Sequence, residues 1–205
     1  MIAIIDYGAG NLFSVKNALE YIQLPYLITN QAEDLQQADA LILPGVGAFP
    51  YAMKMLNQTG LVDVILEQVK NKPLLGICLG MQLLFERSGE SPGVDGLGIL
   101  KGEILRIPES GGLKIPQIGW NSLKYPKSGR LFEGVAEDSY VYFVHSYYVK
   151  AADADIVTAT TEYGIPIHVS VEKGNVFACQ FHPEKSSKVG LALLRNFLNI
   201  RKEGA

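Results

Sequence analysis

Lys72-Pro73-Leu74-Leu75-Gly76-Ile77-Cys78-Leu79-Gly80-Met81-Gln82-Leu83-Leu84-Phe85 reads as a short buried strand that turns abruptly into a helix. A cysteine stands at the corner, with a glycine two residues to either side. A turn this tight brings neighbouring backbone into contact and asks for dihedral angles that a β-carbon resists, so the glycines have a physical reason to be there. The thiol would stand above the sheet edge at a helix N-terminus, where partial positive charge and free N–H groups favour a thiolate and a developing oxyanion. Cys78 is equally readable as a small buried hydrophobe at a strand–helix junction.

The balance tips on Gln180-Phe181-His182-Pro183-Glu184. A proline pushes the residue before it out of the helical region, so His182 is expected to be extended, and His182 and Glu184 are expected to share one face of that segment. Nucleophile, base and orienting carboxylate are then all present, brought together only by the fold.

Outward from the elbow, the chain before it alternates strand and helix. Met1-Ile2-Ala3-Ile4-Ile5-Asp6-Tyr7 has the unbroken β-forming character of a strand covered on both faces, and Ala40-Leu41-Ile42-Leu43 repeats it. Between them Ser14 is expected to cap a helix with Val15, Ala18, Leu19 and Ile22 on one face. Gly8-Ala9-Gly10-Asn11 begins like a dinucleotide fingerprint, but Phe13 stands where its third glycine belongs. Pro44-Gly45-Val46-Gly47-Ala48-Phe49 leaves backbone amides unshielded just past a strand, either as an ordinary turn or as donors for a substrate oxygen. Four strands separated by helical segments predict an α/β fold with a mostly parallel central sheet flanked by helices.

After Arg87 the texture becomes β-rich, and this second half is expected to extend the same sheet. Glu109-Ser110-Gly111-Gly112 and Pro126-Lys127-Ser128-Gly129 read as loop tips. The aromatic run at 140–149 reads as one central strand kinked at His145-Ser146, with His145 a competitor for the catalytic base. His168 reads as a strand residue facing solvent and Cys179 as a core residue. A final helix is expected from Ser186 or Ser187, and residues 1–205 are expected to form one domain.

Composition narrows the class. With 48% apolar and 19% charged residues over 205 positions, the chain can bury a substantial core. A net charge of −3 offers no basic patch for nucleic acid. No secretory pattern and no run of eighteen apolar residues appears, so no membrane and a cytoplasmic setting are expected. Two cysteines and three histidines, scattered, argue against a metal site, and a reducing cytosol argues against a Cys78–Cys179 disulfide.

Together the elbow and the His182-Pro183-Glu184 pair resemble the class I (triad) glutamine amidotransferases. More narrowly, Asp6-Tyr7-Gly8-Ala9-Gly10-Asn11-Leu12, the loop at 44–49, Ile118-Gly119-Trp120-Asn121 and Phe181-His182-Pro183-Glu184-Lys185-Ser186 are similar to the glutaminases that serve imidazole glycerol phosphate synthase. The resemblance implies a nucleophile at Cys78, a general base and acid at His182, and an orienting carboxylate at Glu184. It implies an oxyanion hole from the amides of Val46 or Gly47 and of Leu79, and contacts to L-glutamine from Gly45, Gln82, His145, Ser146 and Tyr147. No cofactor is implied. The implied partner is a (β/α)8-barrel cyclase subunit in a heterodimer, with Asn11, Trp120, Asn121 and Lys185 on the docking face. Glutaminases of other synthases, a cysteine peptidase, and a binding module without turnover are the competing readings; the 44–49 loop and the Gly-Trp-Asn segment speak against the first.

Overall fold

The computed structural model describes residues 1–109 and 112–203, with side chains described as far as Ile200. Ser110 and Gly111, in one expected loop tip, lie outside the described residues.

The first half lays down β1 (Ile2–Ile5), α1 (Leu12–Tyr21), β2 (Tyr26–Thr29), α2 (Ala32–Gln37), β3 (Ala40–Gly45), α3 (Phe49–Gln58), α4 (Val62–Gln68), β4 (Leu74–Cys78) and α5 (Leu79–Leu83). The second adds β5 (Arg87–Ser88), β6 (Gly102–Arg106), β7 (Gln117–Ser122), β8 (Tyr140–His145), β9 (Tyr147–Ala151), β10 (Val157–Glu162), β11 (Pro166–Lys173), β12 (Val176–Cys179) and α6 (Ser187–Glu203). A ten-stranded sheet runs β2-β1-β3-β4-β12-β11-β9-β6-β5, with β10 also paired to β11. From β2 to β12 all neighbours are parallel. The unbroken apolar runs of β1, β3 and β4 are buried on both faces, as strands between two helical layers must be. Ile2, Ile4, Ile42 and Ile77 join one core, with Val15, Phe177 and Phe197. Ala3, Ile5, Leu43 and Leu74 join the other, with Phe49, Leu56 and Ile65.

Several expectations need correction. Asn11, not Ser14, caps α1: its Oδ1 accepts from the Ser14 amide at 3.2 Å. The aromatic run is two strands rather than one. β8 leaves the large sheet to pair with β7 in a separate two-stranded sheet, while β9 returns to the large one. The break at Ser146 is held by its carbonyl, which accepts from Ile107 N at 2.9 Å. His168 lies in an interior strand between β9 and β10, half-buried, and Nδ1 accepts from the Ala151 amide at 3.3 Å. Cys179 is buried as expected, and both cysteines are free.

Candidate active site

Cys78 closes β4 and caps α5, with φ +55° and ψ −111°. A non-glycine residue in such a region costs about 1–3 kcal/mol and persists only where its surroundings fix it. The flanking glycines serve the close backbone contact expected of them rather than the special dihedrals. A methyl on Gly80 would overlap the Leu43 carbonyl oxygen, and one on Gly76 would come within 3.0 Å of the Gly80 carbonyl oxygen. They let α5 press on β3 and β4, while the cysteine itself carries the unusual φ. Gly45 is the third member of this contact: it stands in register with Cys78, and a β-carbon there would lie 2.7 Å from Gly80 N.

The pairing of β12 with β4 brings the second motif to the first, with Cys179 opposite Ile77. His182 is extended, at φ −100° and ψ 97°. Its meeting with Glu184 nonetheless arises otherwise than expected: the residues do not share a strand face, because a single 3-10 turn, Pro183–Lys185, swings the carboxylate back. His182 Nδ1 donates to Glu184 Oε1 at 2.7 Å, with both side chains almost wholly buried. Ser186 pins the turn, its Oγ donating to the His182 carbonyl at 2.6 Å and accepting from Tyr142 N at 3.0 Å.

His182 Nε2 and Glu184 Oε2 are buried without a hydrogen-bond partner. Nε2 closes no bond of ordinary geometry to Cys78, yet the thiol is near enough to act on the ring's proton. Burial alone would lower the imidazole's pKa, but Cys78 and Glu184 together outweigh it and hold the value well above the ordinary one. The imidazole is therefore held protonated beside the sulfur, where it can serve as a proton donor.

Beside the sulfur lies a cavity of about 410 Å³. Of the residues expected to form the oxyanion hole or touch glutamine, Val46, Gly47, Leu79, Gln82, His145, Ser146 and Tyr147 line it, and Gly45 does not. The 44–49 loop is braced at both ends: Tyr7 Oη donates to the Pro44 carbonyl at 2.8 Å, and Phe49 N donates to Glu90 Oε2 at 2.9 Å. Between them Gly47 adopts φ +98°, which a side chain would resist. Burial and the nearby Cys78 push the Tyr7 phenol up, so it remains a donor.

His145 does not rival His182 as the base. Burial, foremost, brings its pKa down to about 4, so the ring is neutral. Its Nδ1 lies 2.8 Å from the Tyr147 carbonyl and its Nε2 3.0 Å from the Gln117 amide. A neutral ring has one N–H, and the carbonyl needs it, so Gln117 must turn its NH₂ toward Nε2. Both nitrogens shape the 145–147 turn rather than a substrate. No motif singles out Glu90, although it is the one carboxylate that lines the cavity among the described residues.

Of the residues expected on a docking face, only Lys185 lines the cavity. Trp120 stands on the outer face of β7, 52% exposed and edge-on to Tyr142 at 6.1 Å. Asn121 Nδ2 donates to the Glu162 carbonyl at 2.9 Å, and Asn11 is the helix cap already described. Among the described residues no group of three acidic, histidine or cysteine side chains could hold a metal, and no helix is long and apolar enough to cross a membrane.

The family model "Glutamine amidotransferase class-I" matches residues 3–200. This chain belongs to the class I glutamine amidotransferases. The amidotransferase is 52% identical over 198 residues to imidazole glycerol phosphate synthase subunit HisH of Caldanaerobacter subterraneus subsp. tengcongensis, covering 96% of this chain and 97% of that one. It is 50% identical over 205 residues to subunit HisH of Geobacillus kaustophilus, covering 98% and 97%. Among solved structures, a glutamine amidotransferase superposes with a TM-score of 0.77 at 23% identity, covering 98% of this chain and 100% of that one. PurLQS from Thermotoga maritima superposes at 0.72 and 20%, covering 97% of each chain. At those identities the two structures speak for the fold of this amidotransferase alone, which is the α/β architecture expected of it.

Proposed function

We propose that this amidotransferase is the glutaminase subunit of imidazole glycerol phosphate synthase in histidine biosynthesis, hydrolysing L-glutamine to glutamate and ammonia and passing the ammonia to a cyclase subunit. The observation that carries the reading is a buried Cys78, His182 and Glu184 array beside the cavity, in a chain about half identical, end to end, to HisH subunits.

Cys78 thiolate attacks the side-chain carboxamide carbon of glutamine. The oxyanion takes N–H bonds from Val46 or Gly47 and from Leu79, each such donor contributing roughly 3–4 kcal/mol to the transition state. The His182 imidazolium gives its proton to the amide nitrogen, the C–N bond breaks and ammonia leaves a glutamyl thioester. His182, now neutral, takes a proton from water as the hydroxyl adds to the thioester carbon, and glutamate departs with the thiolate restored. Glu90 receives the α-ammonium of glutamine, since an ammonium in a cavity needs a carboxylate. Gln82, Ser146 and Tyr147 hold the remaining polar groups; His145 supports Tyr147 from behind.

Residues 1–205 act as one domain in the cytoplasm. The relatives' name, a synthase subunit, supports an ammonia acceptor on a partner synthase subunit, a (β/α)8-barrel cyclase in a heterodimer. The docking face is the outer side of β7 and β8, where Ile118, Trp120 and Tyr140 are exposed, with Lys185 at its edge. Asn11, which caps α1, and Asn121, whose side chain is held by the Glu162 carbonyl, would take part as supports from beside that face.

The test is glutamate release from L-glutamine by the isolated chain, then with the cyclase partner and its nucleotide. Low turnover alone, strong stimulation by both, and loss of turnover in Cys78→Ala are expected. Full activity without a partner, or no stimulation at saturating glutamine, would overturn the assignment to this synthase.

A further inference from the structure

Gln180 has no part in the chemistry described above, yet it is wholly buried and its side chain reaches the reacting atom. A carbonyl fixes which way its amide points. The Tyr147 carbonyl can only accept, so Gln82 Nε2, 3.2 Å away, donates to it. The same NH₂ lies 2.9 Å from Gln180 Oε1, which must accept. With its oxygen so committed, Gln180 turns its own NH₂ on Cys78 Sγ at 3.6 Å. The polarity runs one way, from the substrate-facing 145–147 turn through Gln82 and Gln180 to a sulfur that has to act as acceptor.

A thiolate accepts such a bond far better than a thiol does, and a buried NH₂ with a poor acceptor is costly. α5, at five residues, is too short for a helix dipole to do this alone. His182 Nε2 closes no hydrogen bond on the sulfur. We infer that Gln180 is the positioning residue that holds Cys78 Sγ as a thiolate aimed into the cavity, and that through Gln82 it ties the sulfur to the residues that grip glutamine. This rests on Cys78 being the nucleophile. When the sulfur attacks, its charge passes to the carboxamide oxygen and the Gln180 bond loosens, so the residue acts on thiolate population and aim rather than on the later steps.

The test is the rate at which iodoacetamide alkylates Cys78 as a function of pH, read by mass spectrometry on the full chain, for the parent, Gln180→Met and Gln180→Glu. In the parent Cys78 should label far faster than buried Cys179; equal labelling would sink the nucleophile reading itself. With that established, Gln180→Met should slow labelling near neutral pH about tenfold and move the profile up by about one pH unit. Gln180→Glu, which keeps the acceptor for Gln82 and places negative charge on the sulfur, should move it further. In Gln180→Glu, which keeps Gln82 in place, kcat should fall while KM for glutamine changes little. A purely structural role would lower the melting temperature and leave the pH profile in place, and that result overturns the inference. Should neither variant fold, the Gln180 side-chain NH₂ resonance of the parent, identified by its through-space contact with Cys78, should shift when iodoacetamide caps the sulfur; an unmoved resonance overturns the inference equally.

Discussion

Glu184 acts on His182 in two separable ways, holding the ring through Nδ1 and keeping its proton by negative charge. Glu184→Gln retains an acceptor for Nδ1 and removes the charge. In the proposed mechanism the imidazolium is the form that delivers a proton to the leaving amide nitrogen, so the alkaline limb of kcat/KM reports the loss of that proton. With Glu184 in place the His182 pKa is raised and the limb lies well above the ordinary histidine range; in Glu184→Gln one of the groups that raise it is gone, and the limb should move to lower pH. The turnover should fall about 10²- to 10⁴-fold, the usual contribution of a positioned acid–base pair. A pH–rate profile of the two proteins checks it, and a limb that stays in place would show that Glu184 only orients. The proposed triad is legible in the sequence because its members sit in short local motifs whose chemistry can be read without a fold. Gln180 lies inside one of those motifs, but its target is Cys78, and nothing in the sequence says that β12 runs beside β4. His145 reads as a rival base because what decides its protonation is burial, which the residues around it do not report. Glu90 stays hidden because its partner, the Phe49 amide, is distant in sequence.

Elements place these groups through backbone contacts so close that only glycine fits. α6 lies on the turn that carries Glu184: a methyl on Gly190 would overlap the Pro183 carbonyl oxygen. Gly190→Ala must therefore push α6 and the Pro183–Lys185 turn apart. Overpacking of this kind costs about 1–3 kcal/mol in stability, and small misplacements of a catalytic group can cost up to about 10² in rate. Glutaminase activity should drop more than tenfold with a modestly lower melting temperature; a parent-like kcat would mean that the turn is held by Ser186 alone. The loop over the cavity makes a second case. Glu90→Ala removes both the anchor of Phe49 N and the proposed α-ammonium partner, so KM for glutamine should rise about tenfold or more, as for a lost hydrogen bond to a charged group. Glu90→Gln, which can still anchor Phe49, should raise KM while sparing kcat, and steady-state kinetics of the two variants separate the roles. Strands β1, β3 and β4 are legible because buried parallel strands are apolar throughout. The run at 140–149 is not, because its apolar and aromatic residues look the same whether one sheet or two use them, and the crossing at Ser146 is fixed by a bond to Ile107, distant in sequence.

At the scale of the whole molecule, the carboxyl ends of β3, β4 and β12 open on the cavity, while β7 and β8 leave the main sheet and turn an aromatic face outward beside it. The two-stranded sheet packs its inner side, Val141 and Phe143, into the core, so Ile118, Trp120 and Tyr140 on the outer side are left exposed. Val144 lines the cavity on the same strand as Tyr142, and Lys185 Nζ lies 6.0 Å over the Tyr142 ring, next to the catalytic turn. A partner that docks on this face would thus rest on the wall of the active site, which is where an ammonia acceptor and a signal for turnover both need to be. A large aromatic side chain at the centre of such a patch is the kind of residue that dominates binding, costing about 2 kcal/mol or more on truncation. Trp120→Ala should therefore weaken binding of the cyclase subunit, raising its Kd about thirtyfold, measured by titration calorimetry, while the melting temperature of the isolated chain stays close to that of the parent. At saturating partner the stimulated glutaminase rate should return, because docking and not chemistry has been weakened. A Kd within twofold of the parent would remove β7 and β8 from the interface, and a rate that stays low at saturation would make Trp120 part of the signal rather than of the dock.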